Sequence, residues 1–274
     1  MAKADRSVLA IVLTHDAPQA LARCLSAISD QVRQPEAVLV VDNASSPPAA
    51  LPALSLPMRL LRSDQNGGPA GGHLIGLQAF LQSEFDLAWV MDDDCVPEVD
   101  CLRELLAALA VSGQGDVPVF PLWVDGPTGI GQFMPAWCGF LMPRPVVERI
   151  GLPRADLVWW TEDTEYLYHR VRRAGFVPIE AERAVVQHHR VRTGASKPPW
   201  KFYYEVRNTI GYRFYVQDRT RRQMRKMTRS IARLVARIIV SEPKKLVRLR
   251  AVMDGVLDGF RRRTGLRYPL ESKE

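Results

Sequence analysis

Residues 87–94 read LAWVMDDD. Five apolar residues (87–91) run straight into three carboxylates. A short continuous apolar run is the pattern of a strand covered on both faces. Residues 7–14 (SVLAIVLT) and 37–41 (AVLVV) repeat it upstream, and 58–61 (MRLL) reads as a short third strand. Helical spacing separates these runs: one helix opens at Pro18, one runs from Gly68-Pro69 to about Gln82, and one runs from Pro97 to about Val111. This alternation predicts an α/β fold with an open, mostly parallel sheet and helices on both faces. Residues 116–190 are mixed. Strand-like runs at 117–124, 136–142 and 184–187 flank helical patterns at 144–150 and 162–174. From Trp200 onward the pattern is helical, after a boundary near residues 193–200 (TGASKPPW).

The composition excludes several classes. In 274 residues, 47% are hydrophobic and 24% charged, which is neither a disordered nor a collagen-like chain. Four cysteines without a C-x-x-C pair read as reduced, buried thiols. The start, MAKADRSVLAIVLTHD, does not read as a signal peptide. No apolar run reaches the ~18 residues a membrane span needs, and residues 231–240 are broken by Arg233 and Arg237. The net charge of +7 is unevenly spread: residues 219–274 hold 17 Lys/Arg against 5 Asp/Glu, while the body is acidic. Such an asymmetry implies an anionic partner at one end.

Five segments carry candidate chemistry. Side chains alternate along an extended chain, so Asp92 and Asp94 are expected on one side at a strand end. Two hard oxygen donors there suit Mg²⁺ or Mn²⁺ bound with a diphosphate; the alternative is a solvated turn that caps the next helix. Asp42-Asn43, ending the second strand, reads either as a contact to a ribose or base or as an Asx turn. The run QNGGPAGG at 65–72, including Asn66, allows close backbone approach to a phosphate before a helix, and it matches neither G-x-G-x-x-G nor a Walker loop. WWTEDTE at 159–165 places Glu162, Asp163 and Glu165 in a first helical turn behind a Trp pair. His188-His189 follows a strand, and adjacent histidines point to opposite sides of it.

Taken in order, THDA, VVDNAS, QNGGPAGG, MDDDCVP, the W-W-x-E-D-x-E helix and a late His resemble the inverting family 2 glycosyltransferases with the GT-A fold. WWTEDTEYLYHRVRRAG, YYEVRN at 203–208 and DGVLDGFRRRTG are similar to the bacterial galactofuranosyl- and rhamnosyltransferase branch. The resemblance implies a catalytic domain over residues 1–198, with a nucleotide-binding half to about 115 and an acceptor half beyond, followed by a basic helical region at 199–274. It implies that Thr14, Asp16, Asp42 and Asn66 line the nucleotide pocket and that Asp93 lies near the donor ribose or sugar. Asp92, Asp94 and His188 (rather than His189) would hold the metal. Asp163 would be the general base, with Glu162 beside it. Trp137, Trp159, Trp160 and Glu165 would meet acceptor or donor sugar. His73 and Leu74 depart from the family pattern.

The resemblance implies transfer of galactofuranose or rhamnose from a UDP- or dTDP-linked donor to a polyprenyl-linked or other glycan acceptor. Mg²⁺ or Mn²⁺ would be the cofactor. The apolar residues Ile231, Leu234, Val235, Ile238 and Ile239 fall at helical spacing among arginines. Such a helix can lie on an anionic membrane surface, pack on the catalytic domain with a solvated basic face, or meet nucleic acid; because the resemblance implies a lipid-carried acceptor, the membrane at its cytoplasmic face is the expectation. The competing readings are a nucleotidyltransferase, against which residues 65–79 hold no Lys or Arg, and a non-catalytic binding protein led by the basic tail.

Overall fold

The computed structural model describes residues 6–126, 128–189, 197–217 and 219–270, so the expected boundary at 193–200 lies partly outside the described residues. The first compact unit comprises residues up to Asn66, Gly72–Pro153 and Tyr166–Val191. Its elements in chain order are β1 (Val8–Thr14), α1 (Pro18–Ser29), β2 (Ala37–Asp42), β3 (Met58–Arg62), α2 (Gly68–Leu81), β4 (Leu87–Asp92), β5 (Cys95–Pro97), α3 (Cys101–Val111), β6 (Val119–Asp125), β7 (Ile130–Gln132), β8 (Cys138–Pro143) and α4 (Arg144–Ile150). A π-helical turn (Thr164–Arg170), α5 (Val171–Arg173) and β9 (Ile179–His188) complete it. Among the described residues the strands form one sheet in the order β3-β2-β1-β4-β8-β6-β9-β5, with β7 on β6.

β1, β2, β3 and β4 are mutually parallel neighbours; β8 is antiparallel to β4. The chain steps outward from β1 to β3, then returns to the other side of β1 as β4. That reversal opens a crevice at the carboxyl ends of β1 and β4, the place where open α/β sheets take ligands. The apolar run of β1 has its reason here. Val8, Ala10 and Val12 pack into one layer with Leu21, Leu25 and Ile28 of α1 and Leu102 and Leu105 of α3. Leu9, Ile11 and Leu13 pack into the other with Leu77 and Phe80 of α2 and Val146 and Val147 of α4. Each such side chain contributes about 1.5–3 kcal/mol on burial, so a polar residue on either face would be costly.

Two local expectations change. Pro97 does not open a helix: it ends β5, which pairs antiparallel with β9, and α3 begins at Cys101. The helical pattern at 162–174 is not a regular α-helix, since its centre winds as a π-helix before α5.

The second unit comprises Gly67–Gly71, Arg154–Glu165 and the C-terminal helices α6 (Pro199–Tyr215), α7 (Arg221–Ser241) and α8 (Lys245–Phe260). It thus takes two segments from within residues 1–198. α6 and α8 pack through glycines: a Cβ on Gly255 would lie 2.7 Å from the Tyr203 carbonyl oxygen, and one on Gly259 2.9 Å from that of Arg207. This accounts for the spacing in DGVLDGF. α7 starts with a capping box between Thr220 and Gln223. Its apolar side is used internally. Ile238 and Met227 are buried, and Ile231, Leu234 and Val235 pack on the same cluster as Phe202, Val206 and Ile210. Of the apolar residues expected to meet a bilayer, Ile239 alone stays exposed, while Arg221, Arg222, Arg225, Lys226, Arg229, Arg233 and Arg237 face solvent. Among the described residues, no helix is long and apolar enough to cross a membrane.

Candidate active site

In the first unit, β1 and β4 end side by side, and the carboxylates leave the end of β4. Each is held by a different neighbour. Asp93 accepts a 2.6 Å hydrogen bond from the Thr14 hydroxyl, and Thr14 is itself buried. Burial, reinforced by the charges of Asp92 and Asp94 and opposed by the Thr14 bond, pushes the Asp93 carboxyl up to about 7. Asp92 Oδ1 lies 2.8 Å from Nε2 of His73, a fully buried ring stacked on Trp137 at 4.0 Å. Asp94 Oδ1 lies 3.2 Å from His188 Nε2. His189 meets Asp94 through its backbone N–H, which donates to the Asp94 carbonyl.

The alternation argument for Asp92 and Asp94 fails for a local reason. Asp93 and Asp94 form the turn between β4 and β5, so the chain is not extended there, and the two carboxylates reach different histidines. His188 is placed by strand pairing: in the β5–β9 register it stands opposite Cys95. Asp94, Cys95 and His188 each offer one donor atom within 4.8 Å of the others. Oxygen, nitrogen and sulfur donors so close fit a divalent ion. Burial also pushes the Cys24 and Cys95 thiols well up.

The remaining residues expected at the nucleotide are largely occupied with the protein itself. Asp42 is fully buried; it accepts from the backbone N–H of Ser45 (2.8 Å) and Ala49 (3.1 Å) and pairs with Arg62. Burial alone would raise its carboxyl, but these donors hold it below its ordinary value. It builds the loop after β2, the Asx-turn alternative, and presents no free oxygen to a ribose. Asp16, at positive φ, accepts from Ser46 N at 2.7 Å. Asn66 accepts from the Asn43 side chain at 3.0 Å. The glycines also have a packing reason: a Cβ on Gly72 would fall 2.2 Å from Leu13 Cδ1, and one on Gly76 2.6 Å from Ile11 Cγ2. Trp137 is buried against His73, Phe140 and Tyr166, so the sugar-stacking role expected of it does not fit.

The second unit holds Trp159, Trp160, Glu162, Asp163 and Glu165. Val158, Trp160 and Thr161 have φ of 67°, 73° and 65°, a left-handed region that costs non-glycine residues about 1–3 kcal/mol each. Two side chains of α6 pay for this strain. The Asn208 amide donates to the carbonyls of Leu157 (2.7 Å), Trp159 (2.7 Å) and Trp160 (3.0 Å). Arg207 donates to those of Leu157 (2.9 Å) and Asp156 (3.3 Å). Both are buried. Gly68, at φ 69°, closes the loop from another side: a Cβ there would lie 2.2 Å from the Val158 carbonyl oxygen. Arg207 and Asn208, the last two residues of YYEVRN, are thus the clamp on this loop.

Asp163 follows it, half-buried, with Oδ1 accepting from Thr164 N (2.5 Å) and Thr164 Oγ1 (3.0 Å). Glu162 and Glu165 are buried, which leaves Asp163 the most accessible of the three carboxylates. A cavity of about 240 Å³ has Thr161, Glu165, Arg207, Asn208, Tyr212 and Arg262 in its wall. Trp160 is 41% exposed, and its ring lies 5.2 Å from that of Trp159. Lys197 sits 5.7 Å from the Trp160 ring and Lys201 5.6 Å from that of Trp159.

Residues 9–133 match the model of glycosyl transferase family 2. The chain is 34% identical over 127 residues to galactofuranosyltransferase GlfT1 of Mycobacterium tuberculosis, covering 44% of this chain and 42% of that protein. It is 28% identical over 200 residues to GlfT1 of Mycolicibacterium smegmatis, covering 61% and 66%. The M. tuberculosis match therefore spans less than half of either protein. Among solved structures, S. aureus TarS in complex with UDP-GlcNAc superposes with a TM-score of 0.61 at 13% identity, over 92% of this chain and 81% of that one. The mannosyltransferase PcManGT of Pyrobaculum calidifontis, in complex with GDP-Man and Mn²⁺, gives 0.56 at 15% identity, over 93% and 76%. These two likenesses concern the fold.

Proposed function

We propose that this chain, a family 2 glycosyltransferase by its residues 9–133, moves galactofuranose from a UDP-linked donor to a hydroxyl of a lipid-linked glycan with inversion at the anomeric carbon. The observation that carries the reading is the set of partnered carboxylates at the carboxyl ends of β1 and β4, where the strand order reverses. The sugar is suggested by the name of the curated relatives. The family match also favours this reading over a nucleotidyltransferase or a non-catalytic basic protein.

In the proposed reaction the acceptor oxygen forms a bond to the anomeric carbon, the bond from that carbon to the diphosphate oxygen breaks, and Asp163 receives the acceptor's proton. Asp163 suits this task by its accessibility, and its Oδ1 is held by Thr164 N and Thr164 Oγ1. Asp93, tied to Thr14, would receive the donor's ribose or sugar hydroxyls. Asp94 and His188 would hold Mg²⁺ or Mn²⁺, which when bound offsets the charge gathering on the leaving diphosphate. Trp160 offers the exposed ring for an acceptor sugar.

A lipid-linked acceptor would bring the enzyme to a membrane, at its cytoplasmic face. The exposed surface for that is not the apolar side of α7. Leu246, Met253, Leu257 and Phe260 of α8 are 83%, 59%, 45% and 48% exposed and share one helical face. The solvent-facing arginines of α7 supply the charge for an anionic leaflet. The test is turnover of UDP-galactofuranose with a polyprenyl-linked glycan acceptor, with the product's anomeric configuration read by NMR. Turnover of another nucleotide sugar alone would overturn the donor, and retained configuration the mechanism. Binding to anionic liposomes should weaken with salt and fall on charge reversal at Arg221, Arg222, Arg225 and Lys226. Binding unchanged in that variant would remove these residues from the membrane reading.

A further inference from the structure

We propose that Cys95 is a third, sulfur ligand to the cation held at Asp94 and His188, and that it turns this site toward thiophilic ions such as Zn²⁺ and Cd²⁺. The proposal rests on the metal-dependent reading above and goes beyond it in the donor set and the choice of ion.

Strand register supplies the first argument. Cys95 and His188 stand directly opposite in the antiparallel β5–β9 pair, so their side chains leave the sheet on the same face, with Cβ atoms about 4.5–5.5 Å apart. Asp94 adjoins Cys95 in the turn. Its Oδ1 is 3.2 Å from His188 Nε2 and 3.8 Å from Cys95 Sγ. A tetrahedral ion with bonds of ~2.0–2.3 Å holds its ligands about 3.3–3.7 Å apart, so small side-chain adjustments bring all three donors onto one ion.

The second argument is how Cys95 is held. It is fully buried, with Sγ 3.7 Å from the Trp137 carbonyl oxygen and 3.2 Å from Cys138 Sγ. A cysteine serving only to fill the core needs no carboxylate and imidazole beside its sulfur; here both stand within ligand spacing. One oxygen, one nitrogen and one sulfur from protein leave a fourth position open, the arrangement of zinc sites that also take a substrate. On binding, the thiol proton passes to solvent and sulfur takes the metal in its place. Oxygen and nitrogen donors alone serve Mg²⁺ and Mn²⁺, while thiolate shifts the preference toward softer ions.

The experiment uses the full chain, stripped of metal by a chelator and titrated separately with Cd²⁺, Co²⁺ and Mn²⁺. Cd²⁺ and Co²⁺ are followed by the ultraviolet thiolate-to-metal charge-transfer band, and Mn²⁺ by electron paramagnetic resonance. One equivalent of Cd²⁺ should raise the band in the wild-type chain and in Cys24→Ser, Cys101→Ser and Cys138→Ser. Cys95→Ser should lose it and bind Cd²⁺ and Co²⁺ at least ~10-fold more weakly, with a smaller change for Mn²⁺. Cys95→Ala, checked by circular dichroism, covers the case in which serine disturbs the fold. Cd²⁺ binding without a band, or a band that survives Cys95→Ser, overturns the proposal while leaving the metal reading intact. If neither Mn²⁺ nor Cd²⁺ binds, the metal reading falls and this proposal with it.

Discussion

In the first unit, Asp92, Asp93 and Asp94 leave the end of a strand whose residues are buried on both faces, and His73, Thr14 and His188 each take one of them. In the second, Glu162 and Asp163 follow a loop in which Val158, Trp160 and Thr161 all have positive φ. There the clamp acts on backbone carbonyls, through Asn208 and Arg207 of a helix some fifty residues further along the chain. One site is set by sheet register and needs little local strain. The other stores strain in its backbone and relies on a distant helix to keep it. Positions fixed by a strand end should therefore tolerate the loss of one neighbour, whereas the loop should respond as a whole when its clamp is cut.

The largest effect is expected at the strained site. Asp163→Asn keeps the shape and removes the proton acceptor, so turnover should fall ~10²–10⁴-fold with donor affinity unchanged. Glu162→Gln should cost less, because Glu162 is buried. Single-turnover rates together with UDP binding decide the matter: a larger loss from Glu162→Gln at intact donor binding would move the base to Glu162.

The strand-end site should respond differently. His73→Ala removes the buried ring that bonds Asp92 and underlies Trp137, leaving the rest of the β4 end in register. Removing the support of a metal ligand itself commonly costs ~10–100-fold in affinity; His73 holds Asp92, beside the Asp94–His188 pair, so the loss should stay near or below the lower end of that range. Mn²⁺-dependent UDP binding should weaken by up to ~10-fold, with KM for the donor rising more than kcat falls. Equal binding in the variant would show that His73 only fills space.

Cutting the clamp comes next. Asn208→Ala withdraws one donor group from three carbonyls, and Asn208→Asp keeps the volume while losing the amide. Leaving buried carbonyls without a partner costs about 1–3 kcal/mol, to be read by urea unfolding. The same variants should lower kcat while sparing UDP affinity. Unchanged kcat at reduced stability would confine Asn208 to a structural role.

What the sequence made legible follows the same division. The runs at 7–14, 37–41 and 87–91 are apolar because both sheet faces are buried, so strand type and order could be read directly, and with them the crevice. The carboxylates after β4 were legible too, but their partners were not. Periodicity assumes an extended chain, and the turn at Asp93-Asp94 breaks it, sending Asp92 to His73 and Asp94 to His188. Asp42 could not be resolved between ligand and turn, because the donors that consume it come from Ser45, Ala49 and Arg62, which no local pattern ties to it. The strain at 158–161 left no trace, since Val, Trp and Thr are poor residues for positive φ and nothing in WWTEDTE announces it. The tail showed its amphipathic spacing plainly, yet spacing alone does not say whether an apolar face meets lipid or protein. In α7 it meets protein.

The smallest effect expected is electrostatic and belongs to the scaffold of the second unit. Asp258 of α8 is buried, accepts from Tyr203 Oη at 2.8 Å and pairs with Arg267. Burial alone would raise its carboxyl, but the bonds from Arg267 and Tyr203, with the charges of Arg267 and Arg263, hold it below the ordinary value. A carboxyl whose folded value is depressed contributes its stability above the unfolded value of about 3.9 and loses it as pH falls through the folded value. Asp258→Asn removes that linkage while keeping the shape and one acceptor. The variant should be less stable than the wild type at pH 7 by about 1–3 kcal/mol. The gap should narrow as pH drops below ~4, where the wild-type carboxyl takes up its proton. Urea unfolding at a series of pH values reads this directly. A gap independent of pH would assign the packing of α6 on α8 to shape and glycine contacts alone, and would remove charge from the account of how the clamp residues are held.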